Sequence, residues 1–454
     1  MSPFAPLMLL FFFVSLFKGG KWLLIPVIVM GGMQTVAAID FGGGALPLTY
    51  FCIFLIVARW LITFVFVTRA NLHVAHWGRY RKVILPLVFF AIYATILTLI
   101  APNFFENIIV APFSDGVTIN NLNILAFERS HTRQLMYLWV SVIFVAAFVA
   151  TVRSPEDFKY LDVALKASLV FLFLLGLWQV LFVCCGIPFP ESLIYSNNYY
   201  KLNYRQFTAG IPRMTSYYIE PSQIAIASAG YFGYFLSSLY GEMKWSTLSF
   251  LGLSLLVCVL SFSSTAYAGI AIGSFIFFLV VTVLRNFSLK YVRFFTLMLV
   301  SLLFVSLLAG MFAVNGFLSE VVDSVLLSKA DSVSAEYRIG VDKIAIDLFE
   351  QTYGVGVGWA SHRASSFAAF LLCSVGIIGL AILVYLALCV GGLYKEKIDE
   401  DNETHMLWGL CFVLITMFIA GADPNHPFLW LMLALALSGA VVPGSGEERY
   451  VQKV

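Results

Sequence analysis

The stretch RMTSYYIEPSQIAIAS, residues 213–228, sets an arginine and a carboxylate directly before an apolar segment. Pro221 suits the first turn of a helix, because its missing N–H would have no intrahelical partner there, and Glu220 or Ser222 can serve the cap. A helix N-terminus attracts anions, and the forked donors of Arg213 match phosphate oxygens in a bidentate way. The stretch predicts a phosphate site. The structural alternative is an interfacial arginine beside an ordinary N-cap.

A second candidate cation, Arg338, lies in SAEYRIGVDKIAIDLFEQT. Its apolar residues recur at helical spacing and predict an amphipathic helix with one buried face, formed by Val341, Ile344, Ala345 and Leu348. Arg338 and Asp342 are four residues apart, a spacing at which solvated ion pairs contribute only about 0.3 to 0.5 kcal/mol. Arg338 is therefore either one half of such a pair or a second phosphate ligand.

The glycine-rich stretch YGVGVGW, residues 353–359, leads to His362 and Arg363 just before another apolar segment. It matches neither of the common nucleotide-binding glycine patterns, so we expect no nucleotide there. His362 could accept a proton near neutral pH, or it could be an ordinary surface residue. Asp423, in the short stretch DPNHP, could approach the same site, although the prolines there equally well make a tight turn.

Tyrosines are concentrated in the stretch 188–222, which holds six of the 21 in the chain. Tyrosine is common at membrane interfaces, yet its flat face and hydroxyl also suit sugar rings, so both interpretations stay open. The six tyrosines are Tyr195, Tyr199, Tyr200, Tyr204, Tyr217 and Tyr218.

The amino-acid composition indicates that much of the chain lies in a lipid membrane. The chain is 61% hydrophobic and 11% charged, with a mean hydropathy of +0.91, whereas soluble domains are about 25% charged. Its seven cysteines form no disulfide or zinc pattern. We therefore predict an all-α polytopic membrane protein, with membrane lipids and no nucleic acid among its partners.

Twelve apolar segments are long enough to be considered as membrane spans, for which about 20 residues are needed. They lie near 22–39, 46–67, 83–101, 135–152, 167–187, 223–240, 247–262, 266–284, 294–314, 366–393, 406–421 and 427–442. Residues 5–17 are either a thirteenth span or an interfacial segment. We expect a single integral membrane domain over residues 1–454.

Charge distribution predicts the orientation. Sorting the 27 Lys and Arg residues into alternate loops gives 17 on one side, 9 on the other and Arg59 within a span. The positive-inside rule assigns the richer side to the cytoplasm. The three long loops, 102–134, 188–222 and 315–365, then lie outside, and long loops are usually functional. The sequence therefore places the working face, including Arg213 and Glu220, on the outer side.

Three stretches together resemble the superfamily of O-antigen polymerases and O-antigen ligases of bacterial envelopes. They are RMTSYYIEPSQIAIAS, SFSSTAYAGIAIGSFIF, and RIGVDKIAIDLFEQTYGVGVGW with the following SSFAAFLLCSVGIIGLAIL. The resemblance covers residues 205–393 and implies a GT-C-like fold of 12 to 13 transmembrane helices in the bacterial inner membrane, with large periplasmic loops that carry amphipathic helices. It implies glycosyl transfer from an undecaprenyl-diphosphate-linked oligosaccharide in the periplasm, with inversion, without metal or cofactor, and with a chain-length regulator as a protein partner.

The resemblance also implies roles for individual residues. Arg213 and Arg338 would hold the diphosphate, with Arg363 as a third cation, while Glu220 would orient the acceptor hydroxyl or Arg213. His362 is the candidate base. The candidate substrate-binding residues are Ser222, Tyr204, Arg205, Tyr217, Tyr218 and Arg363.

Ligases place a histidine eleven residues before the glycine that corresponds to Gly376, where this chain has Ser365. That difference favours the polymerase, which joins lipid-linked repeat units to one another. The alternatives are a ligase that transfers polymer to lipid A-core and, in another class, a transporter of lipid-linked glycans. Transporters place binding groups near the membrane midplane, whereas the polar groups here gather at one face.

Overall fold

The structure is a computed structural model of the 454-residue chain. It describes residues 2–41, 45–66, 77–111, 122–152, 154–197, 205–208, 210–284, 333–395 and 404–442. The predicted span 294–314, the part of the long loop 315–365 that precedes residue 333, and Tyr204 lie outside these residues.

The described part of the chain is mostly helical. Its helices are α1 (Phe4–Lys18), α2 (Lys21–Met30), α3 (Leu48–Phe66), α4 (Trp77–Phe104), α5 (Arg129–Thr151), α6 (Pro155–Cys185), α7 (Glu191–Ile194), α8 (Pro221–Gly241), α9 (Trp245–Leu260), α10 (Ser264–Leu284), α11 (Val333–Gln351), α12 (Phe367–Lys395), α13 (Thr404–Ile419) and α14 (Pro427–Val441). Three two-stranded antiparallel pairs connect them: β1 (Ala37–Asp40) with β2 (Ala45–Pro47), β3 (Ile109–Val110) with β4 (Asn123–Ile124), and β5 (Phe207–Thr208) with β6 (Ile211–Pro212).

Six helices, α3, α4, α5, α6, α10 and α12, are long and apolar enough to cross a membrane, which is compatible with a multi-pass membrane protein. Five shorter apolar helices, α1, α2, α9, α13 and α14, accompany them. The predicted span 22–39 is wrong as a continuous helix, because α2 ends at Met30 and the chain turns into β1.

The first two helices form an antiparallel hairpin around Gly19 and Gly20. Gly19 has a φ of 98°, a backbone conformation that suits glycine, and α1 ends there. The N–H of Ser2 donates to the carbonyl of Ala38, 3.0 Å away, so the start of α1 lies beside β1. Residues 5–17 are therefore helical and pack against α2.

The helices have two ends. We call the ends of α4 and α6 at Phe104 and Cys185, with the start of α8 at Pro221, the outer end, following the orientation that the charges predict. The inner end is the opposite one, where α4 starts at Trp77 and α12 finishes at Lys395. Nearly all of α14 is buried in the centre.

Small residues allow close packing around α8. An added Cβ at Gly230 would lie 2.6 Å from side-chain carbons of both Phe428 and Val413, and one at Gly233 would overlap Phe412. Helices that pack in a membrane gain stability from such close approach rather than from water exclusion. This packing fixes the start of α8 next to the loop between α13 and α14.

The long helix α12 is broken at Gly376, which has φ 57° and ψ −159°. The glycine-rich turn 353–359 fits into the break: the N–H of Val357 donates to the carbonyl of Cys373 (2.7 Å) and that of Ile377 to Gly354 (2.8 Å). An added Cβ at Gly376 would overlap the carbonyl oxygens of this turn, so only glycine fits. The turn thereby fixes the segment that carries His362 and Arg363.

The amphipathic helix predicted around Arg338 is confirmed as α11. Val341, Ala345 and Leu348 are buried on one face of it and Ile344 packs against the same core. The opposite face, which includes Ile339 and Ile346, is exposed.

Candidate functional site

The loop that carries Arg213 is held by groups from two neighbouring helices. The side-chain oxygen of Gln179, on α6, accepts hydrogen bonds from the N–H groups of Thr215 (2.9 Å) and Ser216 (3.3 Å). The N–H of Met214 donates to the carbonyl of Leu260 at the end of α9, 2.9 Å away. These bonds fix the backbone directly after Arg213.

Among the residues that the structure describes, the side chain of Arg213 donates to neutral groups. Its Nε bonds the carbonyl of Ser261 (3.1 Å) and its Nη1 bonds the side-chain oxygen of Gln206 (2.9 Å). Burial lowers the pKa of Arg213, and the positive charge of Arg338 acts in the same direction, while Glu220 opposes both. The guanidinium stays charged, since arginine does not deprotonate in proteins. Two cations therefore lie within electrostatic reach of each other at the outer end.

Glu220 occupies the N-cap position of α8 and Pro221 follows at the first helical position, as the sequence predicts. The carboxylate is exposed and makes no cap bond to the helix backbone. Instead it accepts a hydrogen bond from the hydroxyl of Ser222, 2.7 Å away. Ser222 therefore supports Glu220, whose negative charge lies beside Arg213.

Of the two alternatives for Arg338, the ion pair with Asp342 is not formed in the structure. Asp342 turns away and its Oδ1 accepts hydrogen bonds from the N–H groups of Ser365 (2.5 Å) and Ser366 (3.1 Å), directly before α12. A carboxylate near a helix N-terminus is stabilised by the helix dipole, which a solvated pair does not offer. Among the described residues, Arg338 has no carboxylate within ion-pair distance.

Ser365 connects this helix to the loop between α13 and α14. Its carbonyl accepts hydrogen bonds from the N–H groups of Gly421 (2.8 Å) and Ala422 (3.3 Å), while its own N–H bonds Asp342. The three segments around Arg338, Arg363 and Asp423 are thus joined through one residue.

Asp423 lies between charges from two other segments. Its Oδ1 accepts the N–H of Asn425 (3.0 Å) and its Oδ2 accepts from the side chain of Gln223 on α8 (3.4 Å). Burial raises the pKa of Asp423 to about 6, the charge of Glu220 adds to that rise, and the bond from Asn425 and the charge of Arg363 oppose it. A half-buried carboxylate with this pKa can exchange a proton near neutral pH.

We define the arginine site as Arg213, Glu220, Arg338, Arg363 and Asp423. Three cations and two carboxylates give it a net charge of +1 when Asp423 is ionised. In the described part of the chain, none of the three guanidinium groups has a carboxylate within 4.0 Å. Such a site suits a ligand with at least two negative charges, such as a diphosphate.

His362 does not fit the role of a base. It is 0% exposed, its Nδ1 accepts the N–H of Ala111 (3.1 Å), and its Nε2 lies 3.0 Å from the carbonyl of Val341, to which it donates. Burial lowers the pKa of His362, so the neutral ring is favoured. Both nitrogens are engaged, and the residue joins strand β3 to α11.

Tyr217 and Tyr218 are not a surface for sugar rings. They are 2% and 0% exposed, with ring centroids 4.9 Å apart, and Tyr218 stacks on the buried ring of His426. They are core residues that anchor the loop between Arg213 and Glu220 from below.

Arg205 is engaged elsewhere. Its Nη2 lies 3.1 Å from Glu191 Oε1, and its guanidinium lies over the ring of Phe182, 5.6 Å from the centroid.

A polar groove of about 640 Å³ lies at the same outer end. Phe104 and Tyr353, which line it, are 74% and 91% exposed, and the groove also holds Asn103, Glu106, Glu350 and Gln351. Ile108 forms one edge. Three residues further along the chain, the carbonyl of Ala111 accepts the N–H of Arg363 (2.8 Å), so the backbones of Ile108 and Arg363 lie within about 15 Å of each other.

Gln179 and Asp423 have a larger part in the site than the sequence analysis predicted. Gln179 is visible in the sequence only as an amide inside an apolar segment. Asp423 was a secondary candidate, since the tight-turn interpretation of its loop was equally open. Within the described ranges, no three His, Cys, Asp or Glu side chains are grouped so that they could hold a metal ion.

Comparison with known proteins adds no identity to this geometry: no protein-family model and no curated protein matches the chain.

Proposed function

We propose that the protein is a glycosyltransferase of the bacterial inner membrane that joins polyprenyl-diphosphate-linked oligosaccharide repeat units on the periplasmic face. The observation that carries this proposal is the arginine site. Its three guanidinium groups come from separate segments, and their charges act on one another or on Asp423. The carboxylate that the sequence offers to Arg338 is used elsewhere.

The three arginines bind the diphosphate of the donor. When the bond between the anomeric carbon and the diphosphate oxygen breaks, the electron pair stays on the diphosphate, which gains negative charge. Preorganised cations stabilise that charge as it develops, and removal of one such donor commonly costs about 10²- to 10³-fold in rate. Arg213 is the best fixed of the three, because its loop is bonded to both α6 and α9.

Asp423 is the general base in this proposal. It removes the proton from the acceptor hydroxyl while the hydroxyl oxygen forms its bond to the anomeric carbon, so the carboxylate becomes a carboxylic acid as the diphosphate leaves. Glu220, exposed beside Arg213, accepts a second hydrogen bond from the acceptor and orients it. Attack from the side opposite the diphosphate inverts the anomeric centre.

The polar groove is where the acceptor glycan lies. Exposed aromatic rings offer flat faces to sugars, and the amide and carboxylate side chains around Tyr353 offer partners for sugar hydroxyls. A chain-length regulator is the protein partner that the resemblance implies.

Polymerisation is preferred to ligation because of two residues. Ser365 stands where ligases have their histidine, and its N–H and carbonyl are both used to join segments. His362, one helical turn earlier, is buried with both ring nitrogens engaged. Neither can supply the base that the ligase arrangement places there.

The test is reconstitution. Purified protein in liposomes is incubated with one polyprenyl-diphosphate-linked repeat unit, and the products are separated on a gel. A ladder of lipid-linked oligomers supports the proposal. Transfer of single units to lipid A-core without a ladder would indicate a ligase, and movement across the bilayer without new glycosidic bonds would indicate a transporter.

A further inference from the structure

We propose that an anionic phospholipid of the cytoplasmic leaflet binds in a groove between α4 and α12, independently of the transferase activity proposed above. The groove has a volume of about 1020 Å³. Its inner end is marked by Arg81 and Lys82, and its walls are apolar.

Each of the two helices that form the groove contains a residue that disturbs regular helix geometry. Pro86 lies inside α4, where it removes a backbone hydrogen bond, and α12 is broken at Gly376. Below that break Ile378 and Ala381 face Leu85 and Phe89 across the groove. These four side chains are exposed in the protein, so an apolar ligand can cover them.

The length of the groove suits an acyl chain. Lining residues on α4 extend from Gly78 to Ile96, a rise of 18 residues that spans about 27 Å at 1.5 Å per residue. One leaflet contributes half of a hydrocarbon core of about 30 Å, so the apolar wall is long enough for a leaflet-spanning chain.

Charge selects the headgroup and the leaflet. Arg81 and Lys82 are both exposed, and neither has an ion-pair partner among the residues that the structure describes. They lie at the end that the positive-inside distribution assigns to the cytoplasm. A phosphate headgroup there neutralises them, whereas the diphosphate of the proposed donor belongs at the outer end, more than 20 Å away along α4.

An occupant of the groove also touches the parts that hold the glycine-rich turn. Tyr93, in the groove wall, donates from its hydroxyl to the carbonyl of Val355 (3.3 Å), and Ile377, in the opposite wall, donates its N–H to Gly354 (2.8 Å). The same turn precedes Arg363. A bound lipid therefore stabilises the turn 353–359 from the membrane side.

Native mass spectrometry of the full chain tests this site. Protein purified in detergent is titrated with phosphatidylglycerol and, separately, with phosphatidylethanolamine of the same acyl chains. We expect selective retention of phosphatidylglycerol. Each basic residue near a membrane surface contributes roughly a fivefold effect on anionic-lipid binding, so Arg81→Gln/Lys82→Gln should weaken it roughly 25-fold.

Two variants sharpen the test. Lys159→Gln/Lys395→Gln removes two exposed cations from the same side away from the groove and should leave binding within about twofold. Ala381→Trp fills the groove without a change of charge and should abolish binding. In the wild type, added phosphatidylglycerol should slow hydrogen exchange in residues 353–359.

Several outcomes overturn the proposal. One is equal retention of the two phospholipids, and another is equal weakening by both double variants. Preferred binding of polyprenyl phosphate over phosphatidylglycerol would assign the groove to the carrier lipid instead. A dimer that Ala381→Trp dissociates would assign it to a second copy of the chain.

Discussion

Two groups of charged side chains, one at each end of the helices, differ in whether they have partners of opposite charge. At the inner end, Lys166 and Asp162 form an ion pair of 2.6 Å, and Asp162 also accepts the hydroxyl of Tyr234, 2.9 Å away. At the outer end, Arg213 and Arg338 lie close enough for repulsion to affect a pKa, and the described residues place no carboxylate within 4.0 Å of either. The charges of Lys166 and Asp162 are therefore compensated within the protein, whereas those of Arg213 and Arg338 are not, as far as the described residues extend.

The comparison indicates which charges are structural. A charged side chain in an ion pair keeps its electrostatic stabilisation when no ligand is bound, because its partner is part of the fold. Neighbouring cations without such a partner repel each other. A bound anion relieves that repulsion, so the arrangement favours anion binding. We therefore expect substitutions in the arginine site to affect catalysis and those in the pair of Lys166 and Asp162 to affect stability.

The largest effect is expected for Arg213→Gln and Arg338→Gln. Each removes a cation from the leaving diphosphate, and we expect chain elongation to fall about 10²- to 10³-fold. The rate is measured from the product ladder with purified protein and lipid-linked repeat units.

Arg205→Gln is the matched control, because Arg205 is also an outer arginine but is paired with Glu191. Its elongation rate should stay within about threefold of wild type. Equal losses in all three variants would show that outer positive charge in general, and not the arginine site, supports the reaction.

Asp423→Asn should lower the rate about 10²-fold, toward the low end of the range for general bases. In the wild type, kcat/KM should fall tenfold per pH unit below about 6, since the base acts only when it is deprotonated. The variant should lose that pH dependence. A wild-type profile that stays flat between pH 5 and 7 would remove Asp423 from this role.

Two charge changes should move that pH limb in opposite directions. The charge of Glu220 raises the pKa of Asp423, so Glu220→Gln should shift the limb to lower pH. Arg363 lowers the same pKa, so Arg363→Gln should shift it to higher pH. Shifts of one sign in both variants would contradict the placement of Asp423 between the two groups.

The smallest effect on activity is expected at the inner end. Lys166→Gln breaks the pair with Asp162, whose side chain is 30% exposed, so the loss of stability should be less than about 1 kcal/mol. Thermal unfolding in detergent measures that loss. Elongation by the folded variant should stay within twofold of wild type. A tenfold loss would contradict a purely structural role for the pair of Lys166 and Asp162.

Local signals in the sequence were sufficient for part of the fold. Proline and a cap residue predict the start of α8, and the spacing of Val341, Ala345 and Leu348 predicts the buried face of α11. Both depend on residues within one or two helical turns. The interruption of 22–39 was missed because hydropathy does not distinguish a ten-residue helix followed by a strand from a continuous span.

The site depended on distant partners that no local rule predicts. Asp342 is four residues from Arg338 but bonds N–H groups 23 and 24 residues away, and His362 bonds Ala111, 251 residues earlier. From the sequence, Tyr217 and Tyr218 were interpreted as residues of the membrane interface or of a sugar-binding surface, but in the fold both are buried. Residue types were therefore predictable at the arginine site, whereas partners were not.

The most direct test of the account asks whether Arg213 and Arg338 bind one diphosphate. The Kd of a polyprenyl diphosphate is measured for wild type, Arg213→Gln, Arg338→Gln and the double variant. Two residues that share a ligand should give a coupling of more than about 0.5 kcal/mol. Strictly additive losses, or no loss in either single variant, would contradict a shared diphosphate site.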